Sequence, residues 1–493
     1  MASSAASFAL SLLLVAAALQ CCHGQGGAVA AIYSLGDSIT DTGNLVKEAP
    51  PGVFETIKHL PYGLTFGRPT GRCSDGLLMI DFLAQDTGLP LLNPYLAKNR
   101  SFDHGANFAV AGATAMDLAD QFNGSFSMPF TSNSLKLQLR WFKDFMKSTF
   151  NTDEEIRKRL QSSLVLVGEI GGNDYNFAFF GNKPVSEVEK LIPAVVQTII
   201  NATKQVLDMG ASRVIIPGNF PIGCLPSYLT AMESPEPSAY DSMGCLNDLN
   251  LLAAKHNAQL QRAVADLRAS YPDAAIAYAD YFNSFLSLLK GAPALGFDED
   301  STHKACCGAG GKYNYEERRA CGVEGATVCA DPSAYVSWDG IHMTQAAYKA
   351  MSRLIYHGRY LRPQILSFPE KNGDPAEIRD INVHARVPVV LDAFNSTYFA
   401  WKTYFSLLFR ENNLVDQVEG TVDSRAMVDD PEWTTIGATI IWWFFTTISK
   451  DLFHTVVSAS DDARAMWVKL NDLFTENKLQ RRVFLQQEFF DCH

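Results

Sequence analysis

Three residue types in this chain stand in settings suited to acyl transfer. Ser38 follows an apolar run, Val29 to Leu35, through Gly36-Asp37, so a buried strand ends abruptly in small and polar residues. A turn of that kind leaves a hydroxyl at the carboxyl edge of a sheet, where open α/β folds bind ligands. Asp339 and His342 lie within Trp338-Asp339-Gly340-Ile341-His342. At that spacing the carboxylate can orient the imidazole and stabilise its charged form, which is half of a hydrolytic triad. The developing oxyanion needs donors, each worth about 10²–10³ in rate. Asn173 offers a side-chain amide in Gly171-Gly172-Asn173-Asp174, and Gly112 an unobstructed N–H in the block Gly105 to Thr114. With the N–H of Ser38 they make three. Singly, each of these features is also an ordinary turn, a polar loop or a packing glycine, and only a fold that gathers them gives them chemistry.

The elements that must do the gathering follow from the apolar pattern. Val29–Leu35, Leu164–Val167, Val214–Ile216 and Ala274–Tyr278 are short apolar runs, as expected of strands buried on both faces. Helices are predicted for Gly76–Leu83, for Leu135–Phe150 from Leu135, Leu139, Phe142, Phe145 and Met146, and for Leu246–Ser270. One more is predicted from a Ser186/Glu189 capping box to Met209, with Pro193 shortening or kinking it, and another from Gln345 to Tyr356 capped by Thr344. Alternating strands and helices imply βαβ units and a mostly parallel sheet covered on both faces, with its strand ends on one edge. The loops Gly52–Gly76 and Pro293–Ala330 are expected to shape the pocket. No Gly-x-Ser-x-Gly elbow occurs, which counts against an α/β-hydrolase.

Composition narrows the class. A chain of 493 residues with 47% hydrophobic and 19% charged residues is globular, and its formal net charge of -12 argues against a surface dominated by phosphate contacts, hence against nucleic acid. Residues 1–24 contain an apolar segment, Phe8 to Leu19, before small residues, and are read as a secretory signal peptide although no Lys or Arg precedes it. The expected location is extracellular, the apoplast or alternatively the vacuole. Asn99, Asn123 and Asn201 are then glycosylation candidates, with a fourth sequon at Asn395. Cys73, Cys224, Cys245, Cys306, Cys307, Cys321 and Cys329 should mostly pair, leaving at least one unpaired; their spacing does not suit zinc.

Gly36-Asp37-Ser38, the glycine block ending at Gly112, Gly171-Gly172-Asn173-Asp174 and Asp339-x-x-His342 occur in the order of the four blocks of the GDSL esterase/lipase (SGNH hydrolase) family. The likeness covers residues 29–366 and is closest to secreted plant members, the branch that includes sinapine and acetylajmalan esterases. Phe66-Gly67-Arg68-Pro69-Thr70-Gly71-Arg72, Ala106-Asn107-Phe108-Ala109 and Lys304-Ala305-Cys306-Cys307-Gly308 carry that finer resemblance. It implies a flavodoxin-like three-layer sandwich over 25–368. It also implies that Ser38 is nucleophile, His342 base and acid, and Asp339 its orienter, with Ser38, Gly112 and Asn173 as the oxyanion hole. Gly105 competes with Gly112 for that place. The first block reads Gly-Asp-Ser-Ile where the family's namesake has leucine. The implied substrate is a small-molecule or lipid ester, with no metal or cofactor. The alternative reading is a catalytically idle wall or lectin-like binding protein on the same scaffold.

The composition changes after Phe368. Residues 369–386 are polar and read as a linker, and 387–493 as a separate, mostly α-helical module. Phe399-Ala400-Trp401-Lys402, Asp430-Pro431-Glu432-Trp433, Ala465-Met466-Trp467 and Asn477-Lys478-Leu479 resemble the helical Gag region of plant Copia-type retrotransposons, which implies a module able to self-associate. The run Ile436 to Ile448 is too short to span a bilayer, which takes about 20 residues, and is expected to be a buried helix.

Overall fold

The structure is a computed structural model that describes residues 29–49, 54–117, 133–368, 378–392, 397–412, 414–419, 431–458 and 461–475. The expected signal peptide, residues 1–24, lies outside the described residues, as do Asn123 and Asn395. The chain divides into two compact units, 1–367 and 368–493.

In the first unit a sheet is built from β1 (Ala31–Leu35), β2 (Gly105–Asn107), β3 (Ser163–Val167), β4 (Arg213–Pro217), β5 (Ala275–Ala279) and β6 (Leu361–Arg362). Its order is β2-β1-β3-β4-β5-β6; all neighbours are parallel except β5 and β6. Every residue of β1 and β3 is buried, as their unbroken apolar runs require of strands covered on both faces. Gly105 begins β2 with φ +107°, and a Cβ there would fall 1.8 Å from the Ile32 carbonyl oxygen. It is needed for strand pairing.

The helices used below are α1 (Met79–Asp86), α2 (Leu135–Thr149), α3 (Gly172–Phe180), α4 (Ile192–Asp208), α5 (Asn247–Ser270), α6 (Tyr281–Lys290) and α7 (Gln345–Ser352). Two groups flank the sheet: α2 packs on α4 and α4 on α5, while α7 packs on α1 and α6. On α2, Leu135, Leu139, Phe142, Phe145 and Met146 are buried, each contributing roughly 1.5–3 kcal/mol. The predicted capping box at Ser186 does not form. Pro184 caps a short turn, Val185–Val188, and α4 starts at Ile192 with Pro193 in its first turn, where a missing N–H costs no hydrogen bond. Thr344 does cap α7, accepting the Ala347 N–H, and the predicted length to Tyr356 is reached through a π-helical turn, Arg353–His357.

Three disulfides join Cys224 to Cys245, Cys306 to Cys329 and Cys307 to Cys321, and Cys73 is free and buried. Asn99 and Asn201 are exposed.

The second unit is helical: α8 (Tyr398–Glu411), α9 (Pro431–Thr447), α10 (Lys450–Val456) and α11 (Ala463–Thr475) surround a core with Trp401, Phe405, Trp443, Phe444 and Trp467. Ile378 and Val383, expected in the linker, are buried in that core, so the described part of 369–386 belongs to the module. No helix among the described residues is long and apolar enough to cross a membrane.

Candidate active site

The strand order reverses at β1: the chain passes from β1 to β2 on one side, then returns to β3 on the other. Ligands of doubly wound sheets bind at such a switch point, outside the carboxyl ends of the strands. Ser38 leaves β1 there, and Asn173 follows β3 in the first turn of α3.

The turn after β1 is held from several directions. Gln138, buried on α2, pairs with the Gly36 backbone like a neighbouring strand: its Nε2 donates to the Gly36 carbonyl and its Oε1 accepts the Gly36 N–H, both at 2.8 Å. Asp41 accepts the N–H groups of Gly43, Asn44, Leu45 and Ala111. Asn44 donates to the carbonyls of Asn107 and Ala109, and Asn107 to that of Thr40. Asp174 accepts the N–H groups of Ala115 and Met116. The loops after β1, β2 and β3 are thereby laced together through buried side chains.

His342 meets Ser38 across 304 positions of sequence. Its Nε2 lies 2.8 Å from Ser38 Oγ, and its Nδ1 2.7 Å from Asp339 Oδ2. Asp339 Oδ1 accepts the N–H groups of Ile341 (3.0 Å) and His342 (2.8 Å), so the loop wraps its own carboxylate. Tyr62 donates its hydroxyl to Asp339 Oδ2 at 2.9 Å and packs edge-on against the buried Trp338. Burial pushes the Asp339 carboxyl up, but His342 and the loop N–H groups outweigh it and hold it below the usual carboxylate range. Burial pushes the His342 imidazole down, and the Asp339 charge and hydrogen bond raise it above its ordinary value.

Asn173 donates its amide to the Ala113 carbonyl at 2.9 Å, with Asp37 Oδ2 at 3.4 Å. Gly112, with φ +82°, sits in the turn just before Ala113, so the second and third sequence blocks meet beside the first. Burial raises Asp37 to about 7.

A small cleft, about 70 Å³, opens beside Ser38 and Asn173. Its walls differ from expectation: they include Phe180, Phe220, Leu225, Tyr228, Phe285 and Met343, and no described residue of Gly52–Gly76 or Pro293–Ala330 lines it. The first of those loops is tied instead to the segment that follows His342. Ser74 donates to the Met343 carbonyl and Asp75 accepts the Gln345 N–H, while Arg72 forms a buried two-point ion pair with Asp81 on α1. Those ties deliver Tyr62 to Asp339. Tyr62, Gln138 and Glu169, which also lines the cleft, were not singled out by sequence reasoning. A polar residue following an unbroken apolar strand, as Glu169 follows β3 after Gly168, was the available signal for one of them.

A hydroxyl, an imidazole and a carboxylate in series at the carboxyl edge of a mostly parallel sheet define a class, the SGNH-type hydrolases. The profile of the GDSL-like Lipase/Acylhydrolase family matches residues 32–355, and the chain belongs to that family of carboxylic ester hydrolases. It is similar to acetylajmalan esterase of Rauvolfia serpentina, 45% identical over 328 residues, covering 66% of this chain and 84% of that protein. A second Rauvolfia protein, acetylajmalan esterase 1, is 44% identical over 66% of this chain and 85% of its own. A GDSL esterase/lipase of Arabidopsis thaliana is 44% identical over 335 residues, 67% of this chain and 85% of its own.

Proposed function

We propose that the chain is a secreted serine carboxylester hydrolase acting through Ser38, His342 and Asp339. The observation that carries this is the unbroken series from Ser38 Oγ through the His342 ring to Asp339. His342 Nε2 takes the Ser38 proton as the oxygen attacks the ester carbonyl. The tetrahedral oxyanion is held by the N–H groups of Ser38 and Gly112 and the Asn173 amide, which exchanges its Ala113 partner for the oxyanion. His342 returns the proton to the leaving alcohol, giving an acyl-enzyme. Water, deprotonated by His342, then attacks the acyl-enzyme, the acid departs and Ser38 recovers its proton. Asp339 stays ionised throughout and fixes the Nδ1–H tautomer. Small esters suit the cleft, in keeping with the name of the Rauvolfia relative, acetylajmalan esterase. The test is turnover of p-nitrophenyl acetate, expected from the wild type and lost in Ser38→Ala; unchanged turnover in that variant rejects the reading.

Secretion is supported by the apolar leader and the disulfides. The second unit is inferred to be a retroelement Gag-like helical module without a part in ester hydrolysis. The family match ends at residue 355, before that unit begins. Peptide mapping of the secreted protein across 366–390 checks that both units are made as one chain.

A further inference from the structure

One buried polar side chain near Ser38 belongs neither to the triad nor to the oxyanion hole. Gln138 lies on the core-facing stripe of α2, in step with Leu135, Leu139 and Phe142, and is fully buried. A polar group in such a place costs stability unless its hydrogen bonds are made. Its amide makes them: Nε2 donates to the carbonyls of Gly36 (2.8 Å) and Asn133 (3.2 Å), and Oε1 accepts the Gly36 N–H (2.8 Å). With carbonyls on one side and an N–H on the other, the amide has a single orientation.

What the amide grips explains its place. Along β1 and just beyond it, alternate residues face β2: the Ile32 N–H bonds the His104 carbonyl, and the Ser34 and Gly36 carbonyls accept the N–H groups of Phe108 and Val110. But β2 ends at Asn107, and the Gly36 N–H finds its acceptor in Gln138 instead of in that strand. Side-chain packing cannot fix residue 36, which has no side chain and tolerates none: a Cβ would fall 2.5 Å from Thr40 Cγ2 and 3.0 Å from the Glu169 backbone. Hydrogen bonds from Val110 and Gln138 hold it, and among the described residues only Gln138 reaches its N–H. Two positions on, Ser38 Oγ meets His342 Nε2 at 2.8 Å, and the Ser38 N–H is a proposed oxyanion donor. A shift of Gly36 passes to both through Asp37, and displacing a reacting atom by about 1 Å costs about 10²-fold in rate.

We propose that Gln138 is a positioning residue of the reaction, its amide setting the turn that aims Ser38 at His342. This rests on the ester hydrolase reading above and adds a residue to it. Gln138→Ala removes both bonds to Gly36 and should lower kcat for p-nitrophenyl acetate by about ten- to a hundredfold, with KM within about twofold. Gln138→Glu gives a readout that lost stability alone would not. Protonated, the introduced carboxyl reproduces the donor and the acceptor of the amide; ionised, it sets negative oxygen against the carbonyls of Gly36 and Asn133. The titratable groups about this turn, Asp37, Asp41, Glu169 and His342, are present in both proteins, so the quantity to read is the kcat of the variant divided by that of the wild type at each pH. That ratio should lie near one at acid pH and fall by about tenfold or more as pH rises and the carboxyl ionises. A ratio level across pH, or a wild-type kcat in Gln138→Ala, overturns the proposal. Should the alanine variant not fold, the pH course of the Gln138→Glu ratio decides alone. If the wild type turns over no ester, the hydrolase reading falls, and hydrogen exchange at the Gly36 N–H decides separately whether the amide sets the turn. Faster exchange in Gln138→Ala than in the wild type sustains it; equal exchange ends it.

Discussion

The two units are both well packed, yet they bury different things. The first contains buried Asp37, Asp41, Asn44, Asn107, Gln138 and Asp174, and nearly all of these point at loop backbone near Ser38. In the second, the buried polar residues among those described are Gln417 and Thr447, set in a core of stacked rings such as Trp401 against Trp467. An aromatic core is enough to hold helices together. Burying carboxylates is costly unless each is fully paired, so a unit that does it repeatedly around one hydroxyl is fixing loop geometry to a tolerance that packing alone does not supply.

The contrast breaks most sharply if turnover depends on both units alike. Asp339→Asn should lower kcat for p-nitrophenyl acetate by roughly 10⁴-fold, because the amide presents its N–H where the imidazole tautomer needs an acceptor. Deleting residues 369–493 should leave kcat/KM within about twofold, as expected of a unit with its own core. A deletion as damaging as Asp339→Asn would mean the second unit supports the site.

Next in size is Asn173→Ala, which removes one of the proposed oxyanion donors and should cost about 10²–10³ in kcat with little change in KM. A larger effect on KM would place Asn173 in ground-state binding instead.

Tyr62→Phe probes how the site is held. Without the hydroxyl, Asp339 Oδ2 keeps only its His342 contact and carries more of its charge toward the imidazole. The His342 pKa, already raised, should rise further. A base must be neutral to act, so activity climbs as pH passes upward through that pKa, and the acidic limb of the profile should move to higher pH. Its kcat should fall by about ten- to a hundredfold, the equivalent of the 1.5–3 kcal/mol or so that a hydrogen bond to a charged group is worth. An unmoved limb would show that Tyr62 only packs.

What the sequence shows of this site divides along the same line. Strand ends at Ser38 and Asn173 are legible because an apolar run that empties into glycine and polar residues has few structural alternatives. The Asp339–His342 spacing is legible because one loop contains both. Tyr62 is not, since its reach to Asp339 runs through ties from Ser74 and Asp75 to the α7 end of the chain, and no local pattern encodes a loop's long-range partners. The cleft walls were expected from the loops Gly52–Gly76 and Pro293–Ala330 and differ for the same reason: no local pattern marks Phe220, Tyr228 and Phe285 as lining the cleft beside Ser38. At Ser186 a local capping signal lost to Pro193, whose fixed φ suits the first helical turn a few residues later. In the second unit Ile378 and Val383 sit among charged neighbours that hide their burial.

The smallest expected effect on catalysis comes from the largest injury to the second unit. Trp401 is fully buried on α8, stacked on Trp467 and against Phe405, and its Nε1 donates to Thr447 Oγ1 at 3.1 Å. Trp401→Ala removes the ring from the core, while the Thr447 hydroxyl keeps its bond to the Trp443 carbonyl; the lost packing should cost about 3–5 kcal/mol, enough to unfold a small helical unit at ordinary temperature. Calorimetry should then show one transition lost or lowered and the other in place, while ester turnover stays within error of wild type. If the two units instead melt together and turnover falls with them, their cores are coupled, and the scarcity of buried polar residues among those described in the second unit would no longer mark it as idle in the reaction.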